Sequence, residues 1–234
     1  MDLFFHKNID ANNTTFNFSD EESRHLSKVL RKQPGDIVSV TDGKGLELRV
    51  KIQNVSSRKS TGISIETIIH NAPKHKTHIA IAPTKNLVRL EWFLEKATEI
   101  GIHRITPILC QHSERKATKN ERLNKIIQAA LKQSQQFHLP QLDEMTSFEA
   151  FVEQQKGGYI AHCNAGEKFD LADLEPSKDI NCILIGPEGD FSLNEVAIAE
   201  KNNIKSISLG NQRLRTETAA LVACHTLALI HRNL

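Results

Sequence analysis

The chain has 234 residues, enough for one large or two small domains, and 39% of them are hydrophobic, enough to bury a core. Its net charge of +2 does not by itself announce a nucleic-acid binder, so any such role must come from local patches. No apolar run approaches the length of a membrane span, and the start Met1-Asp2-Leu3-Phe4-Phe5-His6 lacks a cationic lead and a cleavage site, so a cytoplasmic protein without a membrane partner is expected. The cysteines Cys110, Cys163, Cys182 and Cys224 form no C-x-x-C pair and read as buried, reduced small hydrophobes; no metal site is expected.

Residues 1–72 read as a small β-rich unit. Ser19 and Glu22 form a capping box that opens a short helix with Leu26, Val29 and Leu30 on its apolar side. Pro34-Gly35-Asp36 turns the chain into a strand at Ile37–Thr41. Asp42-Gly43-Lys44-Gly45 forms a hairpin to a partner strand at Leu46–Ile52, and Gly62–Ile69 alternates as another. Several short strands with one helix suggest a small barrel. Arg24, Lys28, Arg31 and Lys32 recur at helical spacing, either as a face that tracks phosphates or as an ordinary solvated face.

Residues 73–234 read as a second unit. After the polar linker Pro73–Thr77 come a strand at His78–Ala82 and a helix at Leu87–Ile100, with Leu87, Leu90, Leu94 and Ala97 on one stripe and Gly101 as its stop. Trp92 lies off that stripe and suits packing or an interface. A strand at Ile105–Leu109 leads into the loop Gln111–Lys119 and a helix over 120–135 with Leu123, Ile126, Ile127, Ala130 and Leu131 inward. Arg115, Lys116, Lys119, Arg122 and Lys125 make this the densest basic stretch, either an RNA patch or a solvated loop. Tyr159–His162 is a further strand, followed by the loop Asn164–Lys168 and an acidic segment up to Asp179.

The stretch Cys182–Leu229 carries the most pattern. A strand at Cys182–Ile185 ends in Gly186-Pro187-Glu188-Gly189, and Ser192 with Glu195 caps the next helix. A strand at Ile204–Leu209 is closed by Gly210. Asn211-Gln212-Arg213-Leu214-Arg215 then runs into Thr216-Glu217-Thr218, where capping is the simplest explanation of Glu217 and Thr218, and an apolar helix at Thr218–Ile230. Strands alternating with helices imply a mainly parallel α/β sheet, whose ligands sit at the carboxyl ends of the strands. Gly186–Gly189 is neither a phosphate-cradling P-loop nor a dinucleotide fingerprint. Its carboxylate, Glu188, disfavours a triphosphate and suits a ribose or a cationic centre; a plain tight turn is the alternative.

Together these motifs resemble the RsmE-type RNA methyltransferases of the SPOUT superfamily. The likeness rests on Ile185-Gly186-Pro187-Glu188-Gly189 with Phe191, Ser192 and Glu195, and on Ser208-Leu209-Gly210 with Leu214-Arg215-Thr216-Glu217-Thr218-Ala219. Glu95–Gly101 and the early His25, Val29-Leu30-Arg31 and Gly35 extend it. The resemblance implies a PUA-like β-barrel over 1–72 and a SPOUT-type α/β domain with a C-terminal trefoil knot over 73–234. It implies S-adenosylmethionine as cofactor, N3 of a uridine in small-subunit (16S) ribosomal RNA as target, and a homodimer. The expected cofactor site comprises Ile185, Gly186, Pro187, Glu188, Gly189, Leu209, Gly210, Leu214, Arg215, Thr218 and Ala219; Arg215 and Glu188 are the catalytic candidates. Arg24, Lys28, Arg31, Arg115 and Lys116 are the expected RNA contacts. The chain departs from the family at Lys132 and Gln136, where a glutamate and an arginine are usual; Gln133 is kept. An enzyme of this fold acting on another RNA, and a non-catalytic RNA-binding protein, are the alternatives.

Overall fold

The structure, a computed structural model, describes residues 2–12, 14–155, 157–174 and 181–232; the end of the acidic segment, 175–180, lies outside them. Two compact units emerge: residues up to Ala72 together with Leu131–Leu139, and Pro73–Ala130 together with the chain from Pro140 onward.

The first unit contains β1 (Leu3–Phe5), β2 (Thr15–Asn17), α1 (Asp20–Arg24), β3 (Ile37–Thr41), β4 (Leu46–Asn54) and β5 (Thr61–Ile69), in the sheet order β1-β3-β4-β5-β2. The Ser19–Glu22 capping box is present with both of its reciprocal bonds. One sheet face buries Val38, Val40, Leu48, Val50 and Ile52 against Phe4, Phe16, Phe18 and Leu26. Two short strands, β1 and β2, were not foreseen. Val29 requires a correction: it is exposed rather than inward. After α1 the chain widens into a π-helical turn, His25–Val29, closed by a bond from Leu30 N–H to His25 O at 2.9 Å. That turn holds more residues than an α-turn, so positions beyond Leu26 rotate off the α-helical stripe. The segment 131–139 joins this unit through backbone bonds of Gly45 N–H to Phe137 O and Leu139 N–H to Gly43 O, and through His70 stacked on Phe137 at 3.7 Å.

The second unit runs β6 (Thr77–Ile81), α2 (Leu87–Ile100), β7 (Arg104–Leu109), α3 (Asn120–Gln133), β8 (Gln141–Leu142), β9 (Thr146–Ser147), α4 (Phe148–Gln154), β10 (Gly158–Ala161), β11 (Phe169–Asp170), β12 (Asn181–Ile185), α5 (Leu193–Lys201), β13 (Ile204–Ser208) and α6 (Thr216–Arg232). Its sheet is parallel in the order β11-β13-β10-β12-β6-β7-β8, with β9 beside β7. Side chains alternate along a strand, and the central strands β6 and β7 are buried on both faces, as helices on both sides demand. Cys182 and Leu184 of β12 join a core with Phe148, Phe151, Val196 and Ala199 of α4 and α5. On the other face α6 packs on β6, β12 and α2. Asn86 caps α2 through Val88 N–H, and Gly101 ends it in the left-handed region at φ 97°.

A buried polar cluster ties β6, β7 and the end of β8 together. Arg104 Nε donates to Asp143 Oδ2 at 2.7 Å, Thr106 Oγ1 donates to the same oxygen, and His78 Nε2 donates to Thr106 Oγ1 at 2.8 Å. Burial, with Arg104 nearby, presses the His78 pKa down to about 4. Burial pushes the Asp143 carboxyl up, but hydrogen bonds from Arg104, Thr106 and Gln141 outweigh it and hold the group below its usual range. Both groups bind protons more readily once unfolded, so both favour the fold at higher pH. For His78 that stability is complete above its unfolded pKa of roughly 6.5 and is lost as pH falls toward the folded value, by an amount of order 3 kcal/mol. Asp143 extends the loss further into acid. The thermal midpoint is therefore expected to fall between pH 6.5 and 4, and a His78→Gln variant to flatten that slope. A wild-type midpoint that stays level over this range would contradict the assignment.

Candidate functional site

Three loops at the carboxyl ends of adjacent strands line a cavity of about 630 Å³. The first follows β12. A Cβ at Gly186 would stand 3.0 Å from the Phe191 ring, so a side chain there would press on Phe191. A turn closes from Asp190 N–H to Pro187 O at 2.9 Å, with Asp190 at a φ of 64°. The Asp190 carboxylate accepts from Phe191 N–H and from Cys163 N–H, the latter at 2.7 Å. Asn164 Nδ2 donates to Phe191 O, so the loop after β10 is tied to the loop after β12. Glu195 both caps α5 and accepts from Gln111 N–H at 2.8 Å.

The other wall follows β13. Gly210 adopts a φ of 110°, and its N–H donates to Ser208 Oγ. Leu214 is half-buried and Arg215 exposed before α6 begins at Thr216. The helix thus starts earlier than expected, so Glu217 stands inside its first turn rather than as a cap. Glu217 is buried with Oε1 3.6 Å from Arg89 Nε, a favourable place for a carboxylate near a helix N-terminus.

Of the residues expected in the site, Ile185, Gly186, Pro187, Glu188, Leu209, Gly210, Leu214, Arg215 and Ala219 line the cavity together. Gly189 and Thr218 do not; the Cβ position of Gly189 faces the His112 side chain. Glu188 is exposed, and its Oε1 accepts from Lys85 N–H at 3.0 Å. Sequence reasoning missed His162, Cys163, Lys168 and Asp190, which also line the cavity. Cys163 corrects a second expectation, because it lies past the end of β10 and is exposed. Cys110, Cys182 and Cys224 are buried, and burial pushes the Cys224 thiol up to about 12. Burial also lowers the His162 pKa, favouring the neutral ring; Nε2 is 2.9 Å from Ser206 Oγ. Arg24, Lys28 and Arg31 are exposed in the first unit, Arg31 at a φ of 51°. Lys116 is exposed, whereas Arg115 is half-buried and donates to backbone carbonyls.

A parallel sheet with such a cavity is the framework of an α/β enzyme that binds a nucleotide-like ligand. Residues 70–228 match the family described as RNA methyltransferase domain, and residues 18–63 match the RNA methyltransferase PUA domain; the chain is an RNA methyltransferase. The ribosomal RNA small subunit methyltransferase E of Bacillus subtilis is 30% identical over 230 residues, covering 89% of this chain and 88% of its own. A probable rRNA-methyltransferase of Porphyromonas gingivalis superposes with a TM-score of 0.91 at 33% identity, covering 100% of this chain and 99% of that one. A Legionella pneumophila structure solved with bound cofactor SAM superposes with a TM-score of 0.86 at 25% identity, covering 97% and 96%. The chain belongs to the ribosomal RNA small subunit methyltransferase E family.

Proposed function

We propose that this chain transfers a methyl group from S-adenosylmethionine to N3 of one uridine in 16S ribosomal RNA. The observation that carries this reading is the cavity at the ends of β10, β12 and β13. Its volume of about 630 Å³ lies within the range of small-ligand sites. Ile185, Ile207, Leu209, Leu214 and Ala219 offer apolar surface for an adenine, and the loop backbones offer hydrogen bonds. Glu188 and Asp190 supply negative charge that suits an ammonium or sulfonium and would repel a triphosphate. When bound, the cofactor supplies an electrophilic methyl group. The protein mainly positions the acceptor for in-line attack. Uridine N3 carries an imide proton and is a poor nucleophile until that proton leaves. Arg215, exposed on the wall, stabilises the negative charge that develops on the neighbouring carbonyl oxygens. Glu188, with one oxygen anchored by Lys85 N–H, helps hold the cofactor and accepts the imide proton directly or through water.

The first unit, up to Ala72, acts as the PUA-like RNA grip through Arg24, Lys28 and Arg31, and the second is the methyltransferase domain with its C-terminal segment knotted. Lys116 adds an RNA contact. A cytoplasmic homodimer fits the exposed Val88 and Trp92, one turn apart on α2, and Leu229 on the adjoining α6. Sedimentation is expected to give a dimer and a Trp92→Glu variant to shift it toward monomer; a monomeric wild type would remove the dimer from the reading.

The test of function is methylation of RNA from a strain lacking the gene. N3-methyluridine cannot pair through its Watson–Crick edge, so reverse transcription stops there. The stop is expected in 16S RNA after treatment with wild-type protein and cofactor. A stop only in another RNA would move the target, and no cofactor binding by calorimetry would remove the enzyme.

A further inference from the structure

The basic loop between β7 and α3 contains one cation that does not behave as a surface charge. Arg115 Nε donates to Thr84 O at 3.1 Å, and its Nη2 donates to Lys85 O at 2.7 Å. One edge of the planar guanidinium thus clasps two successive carbonyls, a geometry an ammonium cannot reproduce. Thr84 is fully buried, and its hydroxyl donates to Asn86 O at 2.7 Å, so the clasped segment is stiff. The N–H of the same Lys85 peptide unit donates to Glu188 Oε1 at 3.0 Å. An uninterrupted series therefore runs from Arg115, through the turn between β6 and α2, to the one carboxylate in Gly186-Pro187-Glu188-Gly189.

The rest of the loop leans on the same wall. His112 Nδ1 lies 3.0 Å from Asp190 O, and Gln111 N–H donates to Glu195. Nearby charges are spent elsewhere: Lys85 Nζ pairs with Glu114 at 2.7 Å and Arg122 Nε with Glu91 at 2.6 Å. Lys116, Lys119 and Lys125 are exposed and open to solvent or phosphate.

We infer that Arg115 is a positioning residue for Glu188 rather than a phosphate contact. It fixes the Lys85 peptide, and that peptide fixes the carboxylate at the cavity. The inference rests on the cofactor reading of the cavity, in which the placement of Glu188 contributes to affinity.

Arg115→Lys keeps the charge and loses the fork. Without any RNA present, this variant is expected to bind S-adenosylhomocysteine about five- to tenfold more weakly in calorimetry, as does Arg115→Ala. In a Glu188→Ala background, where the Lys85 N–H has lost its acceptor, the same replacement is expected to change affinity less than about twofold, because the two groups act in series. Hydrogen exchange supplies a readout independent of the cofactor: the Lys85 amide should exchange faster in Arg115→Lys while the amides of β6 keep their protection. Normal affinity with a protected Lys85 amide, and a loss seen only in RNA binding, would overturn the inference and make Arg115 an RNA contact. Additive losses in the double variant would overturn it too. If the wild-type protein bound no S-adenosylhomocysteine, the cofactor reading would fail, and the Lys85 amide alone would decide the role of Arg115.

Discussion

Arg215→Ala is expected to lower the rate of methyl transfer by roughly 10²- to 10³-fold, the usual cost of removing one preorganised group that faces developing charge. Cofactor affinity should change far less. The reason is where the side chain stands. Arg215 precedes α6, and its carbonyl accepts Ala219 N–H at 2.8 Å, so the helix fixes its backbone. The side chain is exposed at the cavity wall, and among the described residues no hydrogen bond or ion pair holds it. A guanidinium is a planar, delocalised cation that can face two acceptor oxygens at once. Single-turnover measurements at saturating cofactor separate the two contributions. A variant with normal turnover would assign Arg215 to loop anchoring; one that loses cofactor binding in proportion to rate would assign it to the cofactor.

Local chemistry made much of this fold legible. Both capping boxes, Ser19–Glu22 and Ser192–Glu195, are reciprocal in the structure, and the Gly101 stop falls where the α2 pattern ends. Strands β3, β6, β12 and β13 were readable as short apolar runs bounded by turn residues. What escaped has no periodic signal. β1 has three residues and β11 two, too few for alternation to register, and each exists because a longer strand offers it an edge. The π-turn after α1 cannot be told from an α-turn by apolar spacing, which is why Val29 was placed inward. The site divides in the same way. Gly186-Pro187-Glu188-Gly189 and Leu214-Arg215 announce themselves as motifs, whereas His162, Cys163 and Lys168 reach the cavity from the separate loop after β10. Glu195 could be read as a cap, but its second bond, to Gln111 N–H, spans 84 positions in sequence and leaves no local trace.

The largest effect on stability at this site is expected from Phe191→Ala. Phe191 is 2% exposed and packs against Phe148 of α4, with ring centroids 5.6 Å apart. It belongs to the core between the sheet and the helices α4 and α5. Removing a buried phenylalanine ring costs about 3–5 kcal/mol, because the lost transfer energy is joined by the cost of a cavity that the surroundings only partly fill. For a chain of this size that amounts to a drop of about 10 °C in unfolding midpoint. The ring also supports the loop: it lies against Gly186, and its own N–H and C=O are held by Asp190 and Asn164. Loss of the ring should therefore loosen the Gly186–Gly189 turn and weaken S-adenosylhomocysteine binding along with the fold. Phe191→Leu, which refills most of the volume, should recover the larger part of both. Calorimetric unfolding and titration on the same samples distinguish the cases. If the alanine variant lost stability but bound the cofactor normally, the turn would owe its shape to its own hydrogen bonds and not to the ring beneath it.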